Sequence, residues 1–369
     1  MDDAERLRLF LGQSDIFITR YLDRLGTARL ESLPSIVGRL PVILEPIVIK
    51  DFRALTEREK HDISDQFRSE FGVAYFVVLN CEEHPTRGHP LLEIAAQLKD
   101  ELHLSYPLQH PLEEHRDSVG RFGRDGTLKV YDVMKDPSAG YREQGETSDL
   151  FSTHHDGLGS GGTVSTVGLY MDSPPLSGGY TYFQNICRLS LDLARNDREA
   201  FNDLFVPDAL TVIRPRGKGA LKVLSPVLYL NDAGRPQSAF RTASGEYKVV
   251  WRDDRPALAR AAAFLNRHAE PFACGSSFLH LSAKGHGCFN DNEAVAHGRT
   301  SFLNVPGHVE RVLARKWFMR YPRDAVYKHV PGLFLAQEFG KLYPEHFGRA
   351  LLEGEWLYDS IQKTNNRTK

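Results

Sequence analysis

Apolar positions along this chain follow two different spacings, and the change between them divides the sequence. Residues 73–79 read Val-Ala-Tyr-Phe-Val-Val-Leu, β-branched and aromatic, and predict a strand. Just upstream, Thr56 and Glu59 have the spacing of a capping box, predicting a helix that runs towards Glu70. A second helix is expected over residues 91–102. From Thr127 onward, short apolar runs alternate with Gly, Pro, Asn and Asp. Strands are expected at 128–133, 164–171, 180–184, 227–230, 247–251, 277–281, 287–289 and 311–318. Two helices interrupt them, one near 198–205. In the other, Asp253 or Asp254 is the expected cap, Pro256 sits in the first turn, and Leu258, Ala261, Ala262 and Leu265 form the apolar stripe. Binding of a cationic substrate is the alternative role for that aspartate pair.

Many short strands with turn signals predict a sandwich or closed barrel, giving an α+β chain with a mainly β core. No repeat, low-complexity tract or long linker breaks it. A single domain over 1–369 is expected, with 1–125 as a mixed α/β part and 126–325 as the β core that carries the site.

Composition narrows the function classes. With 41% hydrophobic and 25% charged residues the chain is that of an ordinary soluble protein. A formal charge of −2 gives no electrostatic case for nucleic acid or an anionic membrane. Cys81, Cys187, Cys274 and Cys288 lack CxxC spacing, so reduced thiols are expected rather than a disulfide framework or zinc knuckle. The charged start, MDDAERLRLF, has no signal-peptide core, and no run approaches about 18 apolar residues. A cytoplasmic location is the expectation.

The chemistry concentrates in Phe151-Ser-Thr-His-His-Asp-Gly157. On a strand, alternation places His154 and Asp156 on one face and His155 on the other. An imidazole and a carboxylate at i and i+2 can then occupy adjacent vertices of one metal ion, with the third ligand supplied from elsewhere. His297 is the candidate: the turn at 290–292 leads into a short extended run carrying it, followed by Gly298 and Arg299. Two histidines and one carboxylate on one face form the facial triad of non-heme iron(II), which leaves cis positions open for a bidentate 2-oxo acid and dioxygen. Further on, alternation puts Arg311, Leu313 and Arg315 on one face. A guanidinium there can pair bidentately with the remote carboxylate of a dicarboxylate cosubstrate.

The ordered set His154-x-Asp156, Gly178-Gly179-Tyr180-Thr181, His297-Gly298-Arg299 and Arg311 resembles the taurine dioxygenase and clavaminate synthase superfamily, over about residues 130–320. It is most similar to the clavaminate synthase-like branch, which includes amino-acid hydroxylases of antibiotic biosynthesis. That branch usually carries glutamate as the acidic ligand, whereas this chain has Asp156, as in the wider superfamily. The resemblance implies a double-stranded β-helix (jelly roll) with flanking helices. It also implies iron(II) on His154, Asp156 and His297, with 2-oxoglutarate and dioxygen as cosubstrates. Thr181 falls where the family's threonine contacts 2-oxoglutarate, and Arg311 lies at the family's interval for the far carboxylate, with Arg315 in reserve. Related halogenases replace the carboxylate by a small residue, so Asp156 points away from halogenation.

The expected reaction is therefore hydroxylation of an unactivated C–H in an amino acid or related small metabolite. Desaturation or cyclisation with the same cofactors is the alternative. A cupin-like hydrolase or isomerase using the same triad, or a barrel that only binds, would leave Thr181 and Arg311 unexplained. His155 is expected on the barrel exterior or in a loop, His286 and His308 in turns, and Arg299 as a backbone-binding residue. The segments expected to cover the site are 131–150, 157–162 and 230–244, where solvated roles are expected for Arg241 and Asp149.

Overall fold

The computed structural model describes residues 34–81, 88–108, 127–131, 144–158, 164–206, 208–216, 219–230, 236–245, 247–304 and 310–320. In chain order the strands begin with β1 (Val42–Ile43), β2 (Ile47–Ile49), β3 (Val73–Val78), β4 (Tyr106–Leu108) and β5 (Leu128–Tyr131). Next come β6 (Phe151–His154), β7 (Thr166–Ser173), β8 (Ser177–Gly178), β9 (Thr181–Asn185), β10 (Leu210–Arg216), β11 (Gly219–Ser225) and β12 (Leu228–Leu230). The last are β13 (Pro236–Ser238), β14 (Lys248–Trp251), β15 (Ser277–Leu279), β16 (His286–Asp291), β17 (Val295–Arg299), β18 (Phe302–Leu303) and β19 (Val312–Met319). Five helices accompany them among the described residues: α1 (Glu57–Arg68), α2 (Pro90–Gln97), α3 (Ile186–Asn196), α4 (Arg198–Asp203) and α5 (Pro256–His268).

Two sheets carry the architecture, a double-stranded β-helix. The larger runs β2-β3-β16-β7-β19-β4, with β5 also paired to β19; the smaller runs β1-β15-β9-β17-β6. β1 to β4 lie in the first 125 residues, so that part of the chain supplies strands to both sheets.

The period of two along each strand decides what goes where. On β3, Val73 and Tyr75 pack between the sheets, while Ala74, Phe76 and Val78 face α1 and α2. On β19, Leu313 and Trp317 point between the sheets, and Ala314 and Phe318 point to the helices. Val167, Leu169, Met171, Phe183, Leu279 and Val295 complete the inter-sheet core. A further core, with Leu189, Phe201, Leu258, Leu265 and Ala296, joins α3, α4 and α5 to the smaller sheet.

α1 forms where the capping box predicts: Glu59 N donates to Thr56 Oγ1 at 3.2 Å and Thr56 N to Glu59 Oε2 at 2.7 Å. α5 starts at Pro256 and buries Leu258, Ala261, Ala262 and Leu265, but neither aspartate caps it. Arg255 occupies the cap position without a side-chain bond, and Asp254 pairs with Arg252 through bonds of 2.6 and 2.8 Å. A bidentate charge-assisted pair outcompetes a cap for the same carboxylate. α3 was not foreseen from the pattern. Its run over 189–193, Leu-Ser-Leu-Asp-Leu, alternates apolar and polar residues as a strand would, and so masks the helix.

All four cysteines are free thiols. Among the described residues no helix is long and apolar enough to cross a membrane.

Candidate metal centre

β6 and β17 lie side by side in the smaller sheet, in a register that pairs His154 with His297. Residues opposed across strands share a face, and the two imidazole centroids are 4.5 Å apart. Asp156 follows the end of β6. Its Oδ1 is 3.4 Å from His154 Nε2 and its Oδ2 is 3.9 Å from His297 Nε2. One ligand atom from each of the three residues falls within 4.8 Å of the others, and all three side chains are buried.

His154 Nδ1 donates to the Ser152 carbonyl at 2.7 Å, which fixes the tautomer and leaves Nε2 with its lone pair exposed to the interior. His154 Nε2, the nitrogen that faces Asp156, has no hydrogen-bond partner among the described residues. Buried polar atoms without partners are costly, and a divalent cation among these donors removes that cost. Two neutral nitrogens and one carboxylate are the donor set of a facial-triad iron site. Burial lowers the pKa of both histidines, that of His297 to about 3, so they stay neutral and able to ligate. Burial opposes charge on Asp156, but the Arg315 guanidinium beside it outweighs that and holds the carboxyl well below its usual range.

Asp156 is gripped from two directions. Trp317 Nε1 donates to Oδ2 at 2.8 Å, and Arg315 Nη1 lies 3.5 Å from the same oxygen. Asn292 clamps the backbone: its Oδ1 accepts from Asp156 N at 2.9 Å, and its Nδ2 donates to Asp156 O at 3.0 Å and Val164 O at 2.8 Å. Neither Trp317 nor Asn292 was singled out from the sequence. For Trp317 a signal existed, because it continues the Arg311, Leu313, Arg315 alternation. For Asn292 there was none beyond its place in the predicted turn.

Thr181 is buried on β9, opposite Arg299, two positions from Phe183, which is opposite His297. Thr181 therefore shares the face of the ligand histidine. Arg311, one residue ahead of β19, is 1% exposed, and its guanidinium lies 4.9 Å over the Phe302 ring. Its Nε and Nη1 have no hydrogen-bond partner, and burial pushes its pKa well below the usual value. Gly179 lies against it, and Gly178 has φ +76°, where a Cβ would meet Ser301 O at 2.4 Å, so only glycine lets the 177–181 hairpin run this close to the chain before β18.

Arg315 does not join Arg311. It is drawn to Asp156 and stacks 4.9 Å over Trp317. Arg299 reaches backbone as expected, donating to Gly145 O at 3.3 Å and to Thr147 O and Asp149 O at 2.6 Å each. This ties the segment before β6 to β17. His155 does turn away from the triad, but it is not on an open exterior. It is 2% exposed, with Nδ1 accepting from Phe240 N at 3.0 Å and Nε2 3.0 Å from Ser238 Oγ. Strand β13 and the residues after it cover that side, which the local pattern does not reveal. Arg241 is likewise buried rather than solvated, bridged to His154 and stacked 3.5 Å over Tyr247. His286 opens β16 and lies 2.6 Å from Tyr75 Oη. His308 and most of the expected covering segments (132–143, 159–162, 231–235) lie outside the described residues.

Residues 50–317 match the model of the family described as taurine catabolism dioxygenase TauD, TfdA family. No curated protein is similar enough in sequence to count as a match. Among solved structures, the non-heme iron oxygenase OrfP in complex with Fe and alpha-ketoglutaric acid superposes with a TM-score of 0.52 at 15% identity, covering 76% of this chain and 85% of its own. An asparagine oxygenase in complex with Fe(II), 2S,3S-3-hydroxyasparagine and succinate gives 0.50 at 16% identity, covering 73% and 81%. A variant of OrfP with (3S)-hydroxy-L-Arg gives 0.50 at 17%, covering 74% and 83%. At these identities the likeness is one of fold.

Proposed function

This chain belongs to the TauD/TfdA family of dioxygenases, and on that premise we propose that it is an iron(II)- and 2-oxoglutarate-dependent hydroxylase of an amino acid or a related small metabolite. The observation that carries the reading is a pair of incomplete sites reached from the two sheets that enclose one interior. The triad gathers two histidines and a carboxylate with His154 Nε2 left bare, and Arg311 has bare N–H groups. A metal ion completes the first and a carboxylate completes the second, and 2-oxoglutarate is a molecule that can bridge them.

His154, Asp156 and His297 would hold the iron. Bound there, iron(II) would supply the activation of dioxygen, one oxygen atom going to succinate as 2-oxoglutarate loses carbon dioxide and the other to the hydroxylated C–H. The residues of the chain do the rest. Ser152 O keeps the proton on His154 Nδ1, so the nitrogen facing Asp156 remains a lone-pair donor. Arg315 and Trp317 keep Asp156 ionised and oriented. Arg311 offers a planar fork to the far carboxylate of the cosubstrate, and the Thr181 hydroxyl donates a hydrogen bond to it. Burial of the triad, Thr181 and Arg311 keeps water from the reacting centre.

The amino-acid class draws support from the fold relatives, whose complexes hold hydroxyasparagine and hydroxyarginine. The test is a panel of amino acids and derivatives assayed aerobically for 2-oxoglutarate-dependent succinate release, with products read by mass spectrometry. Gain of one oxygen identifies hydroxylation, and loss of two hydrogens identifies desaturation or cyclisation. Turnover retained when His154, Asp156 and His297 are each changed to alanine would overturn the reading.

A further inference from the structure

Asp156 has two carboxylate oxygens, and the protein treats them differently. Oδ2 accepts the indole N–H of Trp317 at 2.8 Å and has Arg315 Nη1 at 3.5 Å. Oδ1 has His154 Nε2 at 3.4 Å, and that nitrogen has no hydrogen-bond partner. The donors to Oδ2 support each other, since the Arg315 guanidinium lies 4.9 Å over the Trp317 ring. The Asn292 clamp fixes the backbone from which the Asp156 carboxylate projects, and leaves the choice between its two oxygens to the groups that touch them.

We propose that Trp317 is a positioning residue for the metal carboxylate: its N–H, aided by Arg315, reserves Oδ2 so that Asp156 presents Oδ1 alone to the ion. This rests on reading the triad as the metal site. A carboxylate held by one oxygen occupies one coordination position, and a bidentate one occupies two. Pinning Oδ2 therefore preserves the open positions that a chelating cosubstrate and dioxygen require. Partners behind the ligands commonly set affinity as much as the ligands' identity does. Trp317 and Asp156 are 161 residues apart in sequence, which is why no local motif announces the pair.

The experiment uses the full chain and Co(II) alone as probe, with visible absorption for geometry and competition titration for affinity. Trp317→Phe keeps the ring and removes the N–H. The expected result is Co(II) binding weakened by about tenfold, with a shifted absorption band. Trp317→His, which restores a ring N–H, should recover part of the affinity. Equal affinity and an unchanged spectrum in Trp317→Phe would overturn the proposal. So would a loss of affinity that Trp317→His fails to relieve and that is matched by a fall in the melting temperature of the metal-free protein, since that pattern belongs to packing. A wild-type chain that binds no Co(II) would remove both this proposal and the metal reading beneath it, whereas the two preceding results leave the metal reading intact. If Trp317→Phe does not fold, ¹⁵N-indole NMR decides with Trp317 in place. The Trp317 resonance should move in Asp156→Ala, and an unmoved resonance overturns the proposal.

Discussion

Two buried arginines stand four residues apart on the inward face that leads into and along β19, each stacked on an aromatic ring at 4.9 Å. Arg315 lies on Trp317 and has a carboxylate oxygen of Asp156 at 3.5 Å. Arg311 lies on Phe302, and two of its nitrogens are buried without partners. The same residue type on the same face thus has opposite electrostatic surroundings. The charge of Arg315 is answered within the chain, and in answering it the protein fixes a metal ligand. The charge of Arg311 is answered by nothing among the described residues, and a buried unpaired charge costs several kcal/mol. A fold tolerates that cost where an arriving anion removes it. One region is arranged to hold and the other to receive.

Substitutions can break this contrast. The largest effect is expected at the held end: Asp156→Ala should bring succinate formation to background and abolish binding of Co(II), as read by absorption titration. Arg315→Met strips the carboxylate of its cation. It should destabilise the metal-free chain by about 3 kcal/mol in urea denaturation.

Arg311→Met should do the reverse. Replacing an unpaired buried guanidinium by an apolar side chain should raise the stability of the ligand-free chain by about 1 kcal/mol while abolishing saturation by 2-oxoglutarate. A loss of stability in that variant would mean that Arg311 is structurally paired after all. Arg311→Lys retains charge without the fork, so the half-saturating 2-oxoglutarate concentration should rise about tenfold with the maximal rate little changed. As a control remote from both ends, Thr56→Ala removes only the α1 cap and should cost about 1 kcal/mol of stability with no change in either ligand's affinity.

The legibility of the molecule follows the range of the interactions. The capping box of α1 and the proline start of α5 involve neighbours in sequence and were readable. So were the eight expected strands, because alternation is a local signature of a sheet with two different faces. The cap of α5 was misplaced because Arg252 competes for Asp254, and a pattern ranks residues singly rather than in pairs. α3 escaped because Leu-Ser-Leu-Asp-Leu over 189–193 alternates like a strand, so a local pattern supports either element. The choice of His154 over His155 was available from alternation alone. The burial of His155 against Phe240 and Ser238 was not, since the strand that covers it lies more than 80 residues downstream.

By itself the sequence determined the strand periodicity, and with it the common direction of Arg311 and Arg315 and the opposite directions of His154 and His155; Asp156 lies past the end of β6, where the turn rather than alternation places it. It also carried the family's ordered set of motifs. Only the tertiary structure decided that β6 and β17 are neighbours in a register that opposes His154 to His297. It alone assigned Trp317 and Arg315 to Asp156, and left Arg311 with an aromatic ring and no counter-charge among the described residues. The physical reason is that a backbone period fixes the direction of a side chain, whereas its partner is fixed by the packing of strands distant in sequence. In this protein that packing separates an arginine that holds a ligand from one that waits for one.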